Sequence, residues 1–308
     1  MTTRHSPWIL GLLAPLVCAE IALRILASSL PSPDPWPSVG LEVKSEYAER
    51  LVGDEIDVLF LGSSVTEAGI DPDQLLAEFG VSAFNAAGPY STPIGMQRWL
   101  DHSLWPLEPD TIVIGLSIWG APDDEDDDVL ATGFDALVAH EGQRGSILGR
   151  SEFWWRRSQL RDLVGLLSES VDATSYTERG HLTIYRNQQR RTAEDLSDGA
   201  PFPGFSADNE TALAEIVNEA QRRGSRVVLL LEPGGCPAVL PGCANPDSER
   251  RALEAVAEMA DSLGVALING RELAAPDEWF ADSAHFNGRG TAGFTEFIGA
   301  ALQETATP

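Results

Sequence analysis

Three side chains of the types that can attack and cleave an ester bond lie near opposite ends of the chain. Ser64 follows a short apolar run, Ile56–Leu61, and a glycine, while Asp282 and His285 lie three residues apart before the last predicted helix. A serine becomes a nucleophile when a base accepts its proton, and the base needs a third group to fix its tautomer. The spacing lets Asp282 reach one ring nitrogen of His285 while the other faces outward.

Each motif taken alone also has a purely structural explanation. A strand that ends in a serine turn is common, and so is a surface histidine near an aspartate. The pair is more informative, because open α/β sheets place their chemistry at the carboxyl ends of the strands. The Gly-x-Ser-x-Gly elbow is disfavoured, because Thr66 stands where its second glycine would be.

The motifs resemble those of the SGNH, or GDSL-type, serine esterases and acyltransferases, over roughly residues 54–302. Gly62–Val65 is similar to the Gly-Asp-Ser-Leu block, with Ser63 in place of the aspartate. The resemblance implies that Ser64 is the nucleophile and that its backbone N–H helps to hold the oxyanion. It also implies a flavodoxin-like fold, a membrane-anchored subgroup with similar motifs, and catalysis without a cofactor or metal.

Two further blocks complete the resemblance. Asn85–Gly88 is similar to the second block, whose glycine gives a backbone N–H to the oxyanion, here that of Gly88. The stretch 282–290 is similar to the last block, which implies that His285 is the base and that Asp282 orients it.

The third block departs from the family pattern of Gly-x-Asn-Asp. The predicted strand Thr111–Leu116 continues into Ser-Ile-Trp-Gly at 117–120, where Ser117 or Trp119 takes the place of the asparagine. One oxyanion donor of this kind is worth about 3 kcal/mol in the transition state. Three explanations stay open: Ser117 substitutes for the asparagine, backbone N–H groups suffice, or activity is low.

The remaining pattern predicts an α/β fold with a doubly wound, five-stranded parallel sheet. In the flavodoxin-like order 2-1-3-4-5, strands one and three flank the point where ligands bind. The predicted strands are 56–61, 81–86, 111–116, 226–231 and 265–269. The predicted helices are 72–79, 93–105, 211–223, 248–263 and 291–302.

Residues 1–30 are predicted to be a membrane anchor or a signal segment. Two basic residues precede the apolar segment Trp8–Leu30, in which Glu20 and Arg24 are spaced to pair on a helix. An uncleaved anchor is favoured over a cleaved signal peptide and over an amphipathic helix packed on the domain. The anchor would place the bulk of the chain outside the cytoplasm.

Residues 31–53 are predicted to form a linker, with a proline-rich, extended spacer at 31–37 and a short helix at 46–51. Residues 54–308 then form the SGNH-like catalytic domain, with 119–206 as an insertion or cap. His181 lies in this insertion and is expected at the surface, because it has no metal-ligand spacing. Cys236 and Cys243 bracket a short loop and form a disulfide if the domain is exported.

Composition limits the partners of the protein. The 308-residue chain has a formal net charge of −26, which excludes binding to nucleic acid through phosphate contacts. Lys44 is its only lysine. Three functions stay open: a serine ester hydrolase acting on acyl esters of glycans or lipids, an O-acyltransferase supplied by a membrane acyl-donor protein, and a non-catalytic, membrane-tethered binding protein.

Overall fold

The computed structural model describes residues 7–26, 36–89, 91–117, 175–187, 204–233, 246–282 and 284–306. In this part of the chain, five strands form one parallel sheet in the order β2-β1-β3-β4-β5. The predicted doubly wound sheet is confirmed, including the strand order. The strands are β1 (Val58–Leu61), β2 (Ala83–Asn85), β3 (Thr111–Leu116), β4 (Arg226–Leu231) and β5 (Ala266–Asn269).

Helices follow the strands in alternation. A π-helical turn at Leu100–Leu104 and a 3-10 turn at Trp105–Leu107 extend the fifth helix. The helices are α1 (Pro7–Leu26), α2 (Trp36–Leu51), α3 (Ser64–Gly69), α4 (Pro72–Phe79), α5 (Pro93–Trp99), α6 (Ala207–Arg223), α7 (Pro246–Leu263) and α8 (Gly288–Ala306).

Alternating side chains of the strands build two apolar layers, one on each face of the sheet. Leu59 and Leu61 of β1 face the layer that α2, α5, α6 and α7 cover, whereas Val58 and Phe60 face the layer that α4 and α8 cover. All four of these side chains are buried. A strand buried on both faces reads as a continuous apolar run, which is why the sequence identified it.

Helix α4 shows how local signals set the position of an element. Asp71 accepts a hydrogen bond from the Asp73 N–H at 3.0 Å, and Pro72 occupies the first helical turn. Gly80 ends the helix with a φ of +68°, a conformation that favours glycine. The predicted bounds 72–79 are therefore confirmed.

The predicted short helix at 46–51 is the end of a longer helix, which takes up most of the predicted linker 31–53. Helix α2 begins at Trp36, ten residues before the predicted short helix, and it packs on the domain. Over residues 41–51 of this helix, the buried side chains are Leu41, Lys44 and Ala48, at spacings of three and four residues. A lysine in the middle of this buried face hid the apolar period from the sequence analysis.

The N-terminal helix α1 contains the predicted ion pair, with Arg24 Nε lying 2.6 Å from Glu20 Oε1. Within the described residues, no helix combines the length and the apolar character needed to cross a membrane. The predicted disulfide between Cys236 and Cys243 lies outside the described residues. So do Trp119 and most of the predicted insertion 119–206.

One part of the predicted insertion, residues 175–187, is described and packs beside α3. Tyr176 and Leu182 form an antiparallel bridge and are buried. The prediction that His181 lies at the surface is wrong: its side chain is 3% exposed, and its Nε2 lies 3.2 Å from the Ala68 carbonyl. Burial lowers the pKa of His181, because it disfavours the charged imidazolium.

Candidate active site

The structure brings Ser64, His285 and Asp282 into one hydrogen-bonded chain. Ser64 Oγ lies 2.8 Å from His285 Nε2, and His285 Nδ1 lies 2.8 Å from Asp282 Oδ2. Because the carboxylate accepts from Nδ1–H, the neutral ring presents the Nε2 lone pair to the serine hydroxyl. The three side chains thus lie in the relative positions that a nucleophile, a base and an orienting carboxylate need.

Backbone hydrogen bonds hold the loop that carries His285. Phe280 and Phe286 form an antiparallel bridge across the loop, and the Ala281 N–H donates to the His285 carbonyl at 2.8 Å. Asn287 follows, and its Oδ1 accepts backbone N–H groups from the first turn of α8. The loop that carries the imidazole is therefore hydrogen-bonded at its two ends and to the first turn of the last helix, which fixes the position of His285.

Asp282 is held in its ionised form by the same loop. Its Oδ1 accepts the backbone N–H groups of Ala284 at 2.8 Å and His285 at 2.7 Å. Burial raises the pKa of Asp282, but the hydrogen bonds from His285 and from the two backbone N–H groups outweigh burial and hold this pKa below its ordinary value. The ionised carboxylate can stabilise an imidazolium during proton transfer.

Ser64 is the first residue of α3, and the turn that precedes it needs a glycine. A Cβ atom at Gly62 would lie 2.6 Å from Thr66 Oγ1, which is too close for any side chain. Ser63 is the N-cap, since its hydroxyl accepts from the Val65 N–H at 3.1 Å. The sequence Gly-Ser-Ser therefore folds into a tight strand-to-helix turn that presents the second serine at the carboxyl edge of the sheet.

A buried carboxyl group beneath this turn was missed in the sequence analysis. Glu232 directly follows β4, is 1% exposed, and accepts hydrogen bonds from Ser63 and Thr66. Burial raises the pKa of Glu232, and the hydrogen bonds from Thr66 and Ser63 oppose that rise. The one available signal was its position at the end of a predicted strand, because its partners lie 166 and 169 residues earlier.

The backbone N–H of Ser64 is available to an oxyanion. In the turn from Ser63 to Thr66, it is the only N–H without an acceptor among the described residues. The N–H groups of Ser63 and Thr66 donate to Glu232, and that of Val65 donates to the Ser63 hydroxyl. A donor adjacent to the attacking oxygen is placed to stabilise negative charge on a tetrahedral intermediate.

The assignment of Gly88 to the oxyanion hole does not fit the structure. Its N–H donates to the Gly62 carbonyl at 2.9 Å, so this hydrogen bond joins the loop after β2 to the nucleophile turn. Ser117 follows β3, and the pairing of Leu61 with Ile114 places it at the same sheet edge as Ser64. An oxyanion role for Ser117 stays a prediction.

Asn85 fixes the position of α3 from below. The side chain is fully buried, and its Nδ2 donates to the carbonyls of Thr66 at 3.0 Å and Ile70 at 2.9 Å. Its Oδ1 accepts from the Ala87 N–H at 3.1 Å. One side-chain amide therefore forms hydrogen bonds both with backbone carbonyls at the end of α3 and with a backbone N–H in the loop after β2.

A second buried polar pair lies next to the nucleophile helix. Lys44 Nζ lies 2.9 Å from Glu67 Oε1 and donates to the Ala87 carbonyl at 2.5 Å, and both side chains of the pair are 1% exposed. Burial lowers the pKa of Lys44 and raises that of Glu67, while each partner's charge opposes the effect of burial on the other. Helix α2 is thereby tied to α3 one turn after Ser64.

Tyr185 covers one face of the candidate base. Its ring is stacked on that of His285, with ring centroids 4.3 Å apart and planes 7° from parallel. This contact restricts the imidazole to one orientation and gives an imidazolium an aromatic face to interact with.

We expect Tyr185→Leu to lower kcat about two- to thirtyfold, which corresponds to the roughly 0.5–2 kcal/mol of a cation–π contact. Tyr185→Phe keeps the ring and should retain most of the activity. Steady-state kinetics on a soluble ester measures both variants. Equal kcat values for the leucine and phenylalanine variants would contradict a role for the stacked ring.

Comparisons with known proteins give similarities of fold at low identity. The chain matches no protein-family model and no curated protein by sequence. Among solved structures it is similar to a GDSL-like lipase from Bacteroides thetaiotaomicron, with 11% identity and a TM-score of 0.42 over 85% of this chain and 98% of that one. A catalytic mutant of an acetylxylan esterase from Geobacillus stearothermophilus gives 12% identity and a TM-score of 0.42 over 80% of this chain and 92% of that one.

A third similar structure is an alpha/beta hydrolase enzyme from the metagenome of Lake Arreo, Spain. It shares 15% identity with this chain, with a TM-score of 0.42 over 80% of this chain and 94% of the other.

Within the described residues, no group of three or more His, Cys, Asp or Glu side chains could hold a metal ion. The site offers a hydroxyl nucleophile, a base that contacts it, and a backbone donor beside it. This combination is suited to acyl transfer through a covalent acyl-serine.

Proposed function

We propose that the protein is a serine ester hydrolase of the SGNH type that acts on O-acyl esters, such as acetyl esters of glycans or lipids outside the cytoplasm. The observation that carries the proposal is the hydrogen-bonded chain from Ser64 Oγ through His285 to Asp282, with 2.8 Å at each step. A serine, a histidine and a carboxylate that are hydrogen-bonded in this order are the groups that nucleophilic catalysis by a serine requires.

In the proposed first step, Ser64 Oγ attacks the ester carbonyl carbon while His285 Nε2 takes the serine proton. The resulting oxyanion accepts a hydrogen bond from the Ser64 N–H, and Asp282 stabilises the imidazolium. The ester C–O bond then breaks, and His285 returns the proton to the leaving alkoxide. In the second step water attacks the acyl-serine with His285 again as base, releasing the carboxylic acid and free Ser64.

Turnover of p-nitrophenyl acetate by the purified full-length chain tests this proposal. We expect p-nitrophenolate and acetate to appear in equal amounts, with the acetyl group passing through Ser64. A folded preparation that releases no acetate above the buffer rate, with this substrate and with O-acetylated xylan, would contradict it.

Transfer to a sugar hydroxyl is the second candidate, because it uses the same acyl-serine and replaces water by another acceptor. The feature that favours it is a row of exposed apolar side chains on α1, Val17, Ile21 and Ile25, each four residues apart. Such a row supports attachment of residues 1–30 to a membrane, where an acyl-donor protein could supply the enzyme. Ester that appears on an added glycan would identify transfer, and free acid alone would identify hydrolysis.

The membrane location is itself part of the proposal and has its own test. Expression of the full chain followed by fractionation should place it in the membrane pellet, from which detergent but not high salt releases it. Recovery in the soluble fraction would contradict the anchor. A third candidate function is a non-catalytic, membrane-tethered role. A Ser64 that stays unreactive in folded protein would favour this alternative.

A further inference from the structure

The Glu232 side chain passes across β3 at a position where that strand has a glycine. The residue follows β4, and its backbone N–H donates to the Leu116 carbonyl at the end of β3 at 3.0 Å. In the sheet order, β3 separates β4 from β1, so the carboxyl group must cross β3 to reach the turn after β1. Gly115 provides the opening, because a Cβ atom there would lie 2.8 Å from Glu232 Oε1 and closer still to Thr66 Oγ1.

Four hydrogen bonds from the nucleophile turn converge on this carboxyl group. Oε1 accepts from the Ser63 N–H at 3.1 Å, the Thr66 N–H at 3.2 Å and the Thr66 hydroxyl at 2.5 Å. Oε2 accepts from the Ser63 hydroxyl at 2.7 Å, and the same hydroxyl oxygen accepts from the Val65 N–H at 3.1 Å. The two residues that hold the carboxyl group, Ser63 and Thr66, lie on either side of Ser64 in the sequence, and among the described residues no hydrogen bond joins Ser64 to Glu232.

This arrangement determines which backbone donor stays free. A helix start leaves its first N–H groups without partners inside the helix, and any of them can point at a bound ligand. Here Glu232 and the Ser63 hydroxyl take three of these donors, and the Ser64 N–H is left for the oxyanion. The same contacts fix the direction of the Ser64 Cα–Cβ bond and therefore the 2.8 Å distance from Ser64 Oγ to His285 Nε2.

We infer that Glu232 is a positioning residue of the proposed esterase, which holds the Ser63–Thr66 turn so that Ser64 presents its hydroxyl to His285 and its N–H to the oxyanion. The inference rests on the proposed function. Ser63 stands where the similar motif has an aspartate, so the turn itself has no carboxylate at this position. The Glu232 side chain, which follows β4, places a carboxyl group against the same turn.

Replacement of Glu232 separates positioning from simple stability. Glu232→Ala removes all four acceptor contacts, so we expect kcat to fall about 100-fold or more with KM changed less than about threefold, because misplaced catalytic groups reduce transition-state stabilisation more than ground-state binding. Glu232→Gln keeps an oxygen for the two N–H groups and should stay within about tenfold of the parent kcat. Ser206→Ala, which removes the N-cap of α6, is the stability control and should lower the unfolding midpoint while leaving kcat unchanged.

Thr66 gives a second pair of variants in case Glu232→Ala does not fold. Thr66→Ser keeps the hydroxyl that donates to Glu232, whereas Thr66→Val keeps the shape and removes it. We expect a lower kcat for the valine variant alone. Parent-like kcat in both Glu232→Ala and Thr66→Val, with the parent active and labelled at Ser64, would overturn the inference and leave the proposed function intact. A parent enzyme with no reactive Ser64 would instead overturn the proposed function.

Discussion

Ser64→Ala and His285→Gln are each expected to lower kcat for a soluble ester by a factor on the order of 10⁴ or more, and the double variant is expected to lower it no further. The serine supplies the bond-forming oxygen, and the 2.8 Å contact to His285 Nε2 supplies the route for its proton. Because neither group works without the other, the loss of one removes the contribution of both. Residual turnover would come from binding and from the remaining backbone donor.

Steady-state kinetics on the parent, the two single variants and the double variant measures this non-additivity. His102→Gln is the matched control, since it makes the same chemical change at an exposed histidine in the turn after α5. Its kcat should equal that of the parent. Losses in the two single variants that multiply in the double variant would show that Ser64 and His285 do not act as one unit.

Lys44→Met is expected to destabilise the protein by about 3–5 kcal/mol, the range for removing one partner of a buried ion pair. The ammonium group is enclosed by Glu67 Oε1 at 2.9 Å, the Ala87 carbonyl at 2.5 Å and the Tyr176 ring, whose centroid is 5.2 Å away. Without it, the Glu67 carboxylate is left buried beside uncharged groups. Since folded proteins are stable by about 5–15 kcal/mol in total, such a loss is a large fraction of the whole.

Two further variants make the Lys44 prediction specific. Lys44→Met/Glu67→Gln removes both charges and should recover much of the lost stability, because no uncompensated charge remains. Arg50→Met, on the same helix, breaks an exposed pair with Glu46 at 3.4 Å and should cost less than about 1 kcal/mol. Urea unfolding measures all three. Equal losses for Lys44→Met and Arg50→Met would contradict the account of the buried pair.

The loss in Lys44→Met should also depend on pH. Burial already raises the pKa of Glu67, and removal of the lysine charge raises it further above the value in the unfolded chain. Between these two pKa values, the folded protein holds a proton that the unfolded chain has released. The stability of the variant therefore falls as pH rises from the lower value to the higher one. The deficit relative to the parent is expected to be larger at pH 7 than at pH 5.

Those elements whose signals are local were predicted most closely from the sequence. The bounds of β3 and β4 were predicted to the residue because a strand buried on both faces is an apolar run. The bounds of α4 were predicted because Asp71, Pro72 and Gly80 mark its ends. Helix α3 was missed, since six residues that include serine, threonine and glycine carry no helical period.

The catalytic groups were predicted from their residue types, from the carboxyl edge of a parallel sheet and from a motif resemblance, whereas the contacts around them were not predicted. The pairing of Ser64 with His285 spans 221 residues, and neither spacing nor composition brings such positions together. Gly88 was misassigned because the direction of a backbone N–H depends on the turn around it. Glu232 and Lys44 were missed as site residues because their partners are distant in the chain, and because a charged residue is expected at the surface unless a partner is known.

Covalent labelling of the purified full-length chain with a fluorophosphonate tests the central claim most directly, because this reagent reacts with a serine that a base has activated. Peptide mass spectrometry then locates the adduct. The account predicts an adduct on Ser64 in the parent and a strongly reduced adduct in His285→Gln. Folded protein in which Ser64 stays unmodified, or is labelled equally with and without His285, would contradict it.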